Sequence, residues 1–160
     1  MAKSYDYARL EVRWSDAWIW QVHENQAYLG RIVLRLKRRV LGSLAELTAK
    51  EWMHLLHELR LFEQTMKVLF RPDRFNYGQL GNIYHQLHVH AVPRYRSPRN
   101  WARCTFKDVR WGKNWAPTPR SPLTRDEAYA FAAWLREQMP LVLPTAHAKR
   151  FRGEIDASTS

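Results

Sequence analysis

"YHQLHVHAVPRY", residues 84–95, places three of the chain's seven histidines within six positions and then ends on Pro-Arg. In an extended strand alternate side chains share a face, roughly 6.5–7 Å apart. Gln86, His88 and His90 therefore form one polar row, while Leu87, Val89 and Ala91 turn the other way, toward a core. His85 is out of phase with the row. A row of this kind suits several chemistries. His-x-His on a strand can supply two metal ligands. An imidazole can attack phosphorus and carry the phosphoryl group covalently, with nearby cations stabilising the charge. The same row is also what a polar outer strand face looks like. The chain offers few carboxylates nearby and lacks many short glycine-punctuated strands, so no metal is expected.

Outward from this stretch, "WIWQVH" (18–23) and "RIVLRLKRRV" (31–40) read as strands, the second setting Ile32, Leu34 and Leu36 against basic residues. "ENQAYLG" between them carries turn residues. Thr48 and Glu51 form a capping box for a long helix. Along it Trp52, Leu55, Leu56, Leu59, Phe62, Met66 and Leu69 recur as an apolar stripe facing a sheet. Glu58 and Lys50 are expected on the polar side. Arg71-Pro72-Asp73 ends that helix. "FNYGQL" and "LHVHAVP" read as two further strands. Residues 96–122, rich in Pro, Trp and basic residues, have no regular assignment. A second capping box, Thr124 and Glu127, opens a helix expected to end at Met139, before Pro140. The order strand–strand–helix–strand–strand–helix predicts an α+β fold with an antiparallel sheet. One domain is expected over residues 1–147, followed by a mobile tail, 148–160.

The 160 residues suffice for one packed core, and 46% hydrophobic residues with eight Trp argue against disorder. No apolar run approaches the roughly 20 residues of a membrane span. The opening MAKSYDYARLEVRW has no segment resembling a signal peptide. Cys104 is the only cysteine, which excludes an internal disulfide and a cysteine-built zinc site. A cytoplasmic protein is expected. The net charge of +11 favours an anionic partner, a nucleotide, a nucleic acid or an anionic lipid.

"GNIYHQLHVHAVPRY" resembles the signature of the histidine triad family of nucleotide hydrolases and transferases, His-x-His-x-His, two apolar residues and often Pro-Arg. "YLGRIVLRLKRRVLGSLAELTAKEW" is similar to that family's strand leading into its long helix. "FKDVRWGKNWAP" (106–117) is similar to a segment that follows the motif in some bacterial members. The resemblance spans roughly residues 15–118. It implies a histidine triad-like fold, with His88 as the nucleophile on the α-phosphorus of a nucleotide. The intermediate would be a nucleotidyl-histidine. His90 would hold phosphate oxygens or the bridging atom. Gln86 stands where the first histidine of the triad would be, an amide that donates and accepts without titrating. The resemblance further implies phosphate contacts from Asn82 and Gly81, with Lys113 and Asn114 as candidates for the phosphate chain or a partner subunit, Asn25 and the Trp18–His23 strand for the nucleoside, and a homodimer; no cofactor is expected. Dinucleoside polyphosphates or nucleoside phosphoramidates are the expected substrates. The alternatives are removal of AMP from nucleic-acid ends, and a nucleotide-binding module without turnover.

Outside this constellation, His54 and His57 share a helix face without an evident third ligand and read as solvated. Cys104 lies among basic residues but reads as an inert thiol. Trp101, Trp111 and Trp115 are the tryptophans to suspect as stacking residues.

Overall fold

The computed structural model describes residues 5–39 and 42–142. The expected tail and the domain boundary near 147 lie outside the described residues. Nine elements follow in order: β1 (Glu11–Trp14), β2 (Trp18–Val22), β3 (Ile32–Leu36), α1 (Ala49–Leu69), β4 (Arg74–Gly78), β5 (His88–Arg94), β6 (Arg99–Trp101), β7 (Cys104–Phe106) and α2 (Arg125–Val142). The first five strands of the order β1-β2-β3-β5-β4 make one antiparallel sheet, and β6 and β7 make a separate hairpin. The fold is α+β, as expected. Among the described residues no helix is long and apolar enough to cross a membrane.

The two faces of the sheet differ as the alternation requires. Trp18, Trp20, Val22, Ile32, Leu34, Leu36, Val89 and Ala91 are buried on one face, where α1 and α2 pack. Leu87, just before β5, joins the same core. The other face is read from the register. Glu11 lies opposite Gln21, Gln21 opposite Val33, Val33 opposite His90, and His90 opposite Gly78. In the next row Trp14, Ile19, Arg35 and His88 are successive neighbours. Directly opposed residues share a face, so this second face gathers the two histidines, an arginine, a glutamine and a carboxylate.

Both capping boxes form: Thr48 N donates to Glu51 Oε2 (2.8 Å) and Thr124 N to Glu127 Oε2 (2.8 Å). The buried side of α1 is nevertheless rotated from the expected stripe. Leu55, Phe62 and Met66 are buried, but Trp52 and Leu56 are exposed, and Glu58 is only 1% exposed. Glu58 belongs inside because it accepts from Trp20 Nε1 (2.6 Å) and pairs with Arg13 Nε (2.9 Å). A paired and hydrogen-bonded carboxylate is tolerated where a bare one is not.

Three further corrections concern short elements. β1 was not expected; it adds a fifth strand of only four residues. The 96–122 stretch contains the β6–β7 hairpin, whose turn places Ala102 at φ 51° without the glycine or asparagine that would have signalled it. Helix α2 passes through Pro140 to Val142, past the point where a proline is expected to stop it.

Candidate active site

The polar face of the sheet floors a cleft of about 620 Å³, lined by Tyr7, Glu11, Gln21, His23, Glu24, Val33, Arg35, Ile83, Tyr84, His88 and His90. That volume is in the range of small-molecule sites, roughly 300–1,000 Å³. His88 and His90 project side by side from β5 with ring centroids 5.0 Å apart. His23, just past β2, faces His90 at 5.6 Å, so three imidazoles meet at one end of the cleft. They form no group that could hold a metal ion, nor does any other His/Cys/Asp/Glu cluster among the described residues.

The partners of each ring decide which nitrogen carries its proton. His88 Nδ1 lies 2.6 Å from the carbonyl oxygen of Gln86. A carbonyl only accepts, so His88 is protonated at Nδ1 and keeps a lone pair on Nε2. His90 is the reverse. Its Nδ1 is 3.3 Å from Arg31 Nη2, a group that only donates, so its proton is on Nε2. His23 matches His90: its Nδ1 accepts from the Asn25 backbone N–H (3.0 Å).

Both donor rings are held neutral. Burial, reinforced by the charge of Arg31, pushes the His23 pKa down to about 2. Burial, then Arg31 and His88, pushes His90 down to about 3. Glu24 Oε2 stands 3.6 Å from His23 Nδ1; with the ring neutral and that nitrogen already accepting from Asn25, the contact is no ion pair.

Gln86 contributes through its backbone. Its side-chain Nε2 points away, donating to Leu36 O (2.7 Å) and Arg38 O (2.8 Å) at the end of β3. That double tether holds the carbonyl that orients His88. Gly81 adopts φ 64°, the left-handed region that favours glycine. Its turn brings Ile83 and Tyr84, not Asn82, to the mouth of the cleft; Asn82 is exposed beside it. The Tyr84 ring lies 5.6 Å from that of His88.

The structure does not bring Asn25, Lys113 or Asn114 to the lining. Asn25 donates through Nδ2 to Pro119 O (2.8 Å) and accepts at Oδ1 from Ala27 N (2.9 Å), the work of a turn residue. Lys113 lends its carbonyl to Arg94 (3.1 Å), and Asn114 Oδ1 accepts from Ala116 N (2.9 Å). What the 106–117 segment supplies is Trp115, whose ring centroid is 5.5 Å from His90 and over which Arg31 Cζ lies at 4.8 Å. Gly78, opposite His90, makes room: a Cβ there would approach Trp115 to 3.3 Å. Trp101, by contrast, packs on Phe131 and Trp134 in the core, and Trp111 lies under Arg96 at 5.3 Å.

Of the strand 18–23 expected at the nucleoside, Gln21 and His23 line the cleft; Arg31, Arg35 and Glu11 carry no such expectation, yet the strand alternation holds part of the signal. Arg31, Val33 and Arg35 alternate with Ile32, Leu34 and Leu36, so both arginines had to face away from the core. Arg35 stands opposite His88 in the register and bonds across β2 to Glu11 Oε1 (2.6 Å).

No protein-family model and no curated protein matches this chain. Solved structures do. A histidine triad protein from Sinorhizobium meliloti 1021 is 24% identical, with 85% of this chain and 96% of that one covered at a TM-score of 0.60. One from Bradyrhizobium japonicum is 18% identical, covering 86% and 97%, at 0.61. One from Marinobacter aquaeolei VT8 is 23% identical, covering 83% and 93%, at 0.59. At these identities the likeness shows the fold: the chain is built like the histidine triad proteins.

Proposed function

We propose that the chain is a member of the histidine triad family and cleaves a phosphoanhydride or phosphoramidate bond at a nucleotide α-phosphate. The observation that carries this reading is the opposed protonation of two adjacent rings: His88 offers a lone pair, His90 a proton, 5.0 Å apart between centroids. One phosphoryl group can meet both. His88 Nε2 forms a bond to the α-phosphorus while the bond from phosphorus to the leaving group breaks. The leaving group departs with the electron pair and takes its proton from solvent. The imidazolium so formed keeps its Nδ1–H on the Gln86 carbonyl, and His90 Nε2–H donates to a non-bridging oxygen. Water or an acceptor hydroxyl then attacks phosphorus, releases a proton, and returns the bonding pair to Nε2. Val33, Ile83, Tyr7 and Tyr84 offer the nucleoside apolar and aromatic surface, and the net charge of +11 favours an anionic substrate.

The test is incubation with adenosine 5′-phosphoramidate, diadenosine tetraphosphate and adenylated DNA, followed by intact-mass analysis after acid-free quenching. Product, or a nucleotidyl adduct absent from His88→Ala, supports the reading and names the leaving group. Turnover of adenylated DNA alone selects removal of AMP from nucleic-acid ends. Neither product nor adduct, with nucleotide affinity unchanged in His88→Ala, rejects catalysis in favour of a binding module. The homodimer belongs to the same proposal and is read by sedimentation equilibrium.

A further inference from the structure

Arg31 is 3% exposed, and among the described residues it makes no ion pair. Its Nη1 donates to Thr118 Oγ1 (3.1 Å), its Nη2 to His90 Nδ1 (3.3 Å), and its Nε has no hydrogen-bond partner. Trp115 covers the guanidinium plane at 4.8 Å. Glu24 attracts this cation from beyond ion-pair distance, and a buried cation without a contacting carboxylate is costly and is retained where something else needs it. The arrangement around it shows what that is. His90 has two ring nitrogens and one proton. Toward Arg31 it meets only N–H groups, so Nδ1 must be the acceptor and Nε2 must carry the proton.

We infer that Arg31 is a positioning residue that locks His90 as a neutral Nε2–H donor and leaves its own positive charge to be answered by the anion that His88 attacks. The inference rests on the proposed phosphoryl chemistry for its second half, while the tautomer stands independently of any turnover. Arg31 also joins three parts of the chain: β3, the histidine strand, and the segment carrying Trp115 and Thr118. Lysine in its place keeps a cationic donor for Nδ1 but loses the fork that also reaches Thr118. Methionine keeps length and apolar bulk and removes the donor. In Arg31→Met nothing would tell the ring which nitrogen to protonate.

The experiment is long-range proton–nitrogen NMR of the histidine-labelled full chain, as wild type, Arg31→Lys and Arg31→Met, with the His90 signals assigned by His90→Gln. The expected wild-type spectrum has His90 protonated at Nε2 and His88 at Nδ1. Arg31→Lys should keep the His90 pattern, and Arg31→Met should give a mixture or the opposite tautomer. On whichever substrate the wild type turns over, Arg31→Met should lose about 10- to 100-fold in kcat, as orienting partners of reactive histidines do, with a smaller change in KM and recovery in Arg31→Lys. A wild-type His90 protonated at Nδ1 overturns the inference without any variant. An unchanged His90 tautomer in folded Arg31→Met overturns it as well. Absence of wild-type turnover would instead count against the proposed reaction, leaving the tautomer result to be judged alone.

Discussion

Two arginines of this molecule are equally hidden, Arg31 and Arg94, each 3% exposed. Their surroundings are opposite. Arg94, at the end of the histidine strand, is clamped by both oxygens of Asp108 (2.7 and 3.2 Å) and donates to the carbonyls of Arg110 (2.7 Å) and Lys113 (3.1 Å). Asp108 is itself buried, so charge meets charge inside the protein. Arg31, beside His90, has a hydroxyl, an imidazole and an indole face, and burial pulls its pKa down to about 10. The comparison separates two uses of a buried cation. One is satisfied by the fold and ties a loop down. The other has no carboxylate in contact and sits behind His90, which lines the cleft, where a ligand's charge can act on it.

The largest effect should come from cutting the satisfied one. Arg94→Met leaves Asp108 buried and alone, and should destabilise the protein by about 3–5 kcal/mol. Arg31→Met strands no carboxylate and should cost less than about 1 kcal/mol, or stabilise. Urea midpoints of the two variants at pH 7 test this directly. Equal losses would break the distinction drawn between them. Next in size is the response to anion. AMP at about 100 times its Kd should stabilise the wild type by about 2.7 kcal/mol. At the same AMP concentration, Arg31→Met should gain less than about half of that. An equal gain in both would mean that the charge of Arg31 is not what the ligand answers.

The alternation of Leu87, Val89 and Ala91 against His88 and His90 was legible in twelve residues, because a strand face depends on local spacing alone. So were both capping boxes, whose partners are three positions apart. Glu58 was misread because a helical stripe counts apolar residues and ignores a carboxylate whose partners, Arg13 and Trp20, come from strands 45 and 38 residues away. Arg31 and His90 are 59 residues apart, and no local pattern announces their contact. Gln86 is expected to act through its side chain, whereas its backbone carbonyl holds His88, a role indifferent to residue type. The segment bearing Lys113 and Asn114 meets the histidine strand through Arg94 and Trp115. Only the folded loop tells which of its side chains turns inward.

A pH titration sharpens the same contrast. The folded-state pKa values of His23 and His90 lie below the ordinary 6.5, at about 2 and about 3. Above pH 6.5 these rings are neutral whether the chain is folded or not, and stability is unaffected by them. Below it the unfolded chain takes up protons that the native rings refuse, so stability falls as pH drops from about 6.5 toward 3. At pH 5 the loss should reach about 2 kcal/mol for each ring, about 4 for the pair, measured as the shift in urea midpoint from pH 7. What holds the two rings neutral is burial first, then Arg31, His88 and, for His23, the neighbouring His90, opposed at His23 by the Asn25 backbone contact. Removing one ring, in His90→Gln, should flatten the dependence. A midpoint constant from pH 7 to pH 5 would mean that the imidazoles are not buried as described.

The smallest effect expected is that of Gln86→Ala. The substitution keeps the carbonyl that accepts from His88 Nδ1 and removes the two side-chain bonds to Leu36 O and Arg38 O. Those bonds brace the segment before β5, so without them the carbonyl should wander and the His88 ring should be less often aligned. The cost in kcat should stay below about tenfold, equivalent to 1.4 kcal/mol, whereas His88→Ala, which removes the lone pair itself, should lose at least about 1,000-fold. A loss in Gln86→Ala as large as in His88→Ala would place the amide in the reaction. That outcome would return Gln86 to the role of a true third member of the row read from the strand, rather than a brace behind it.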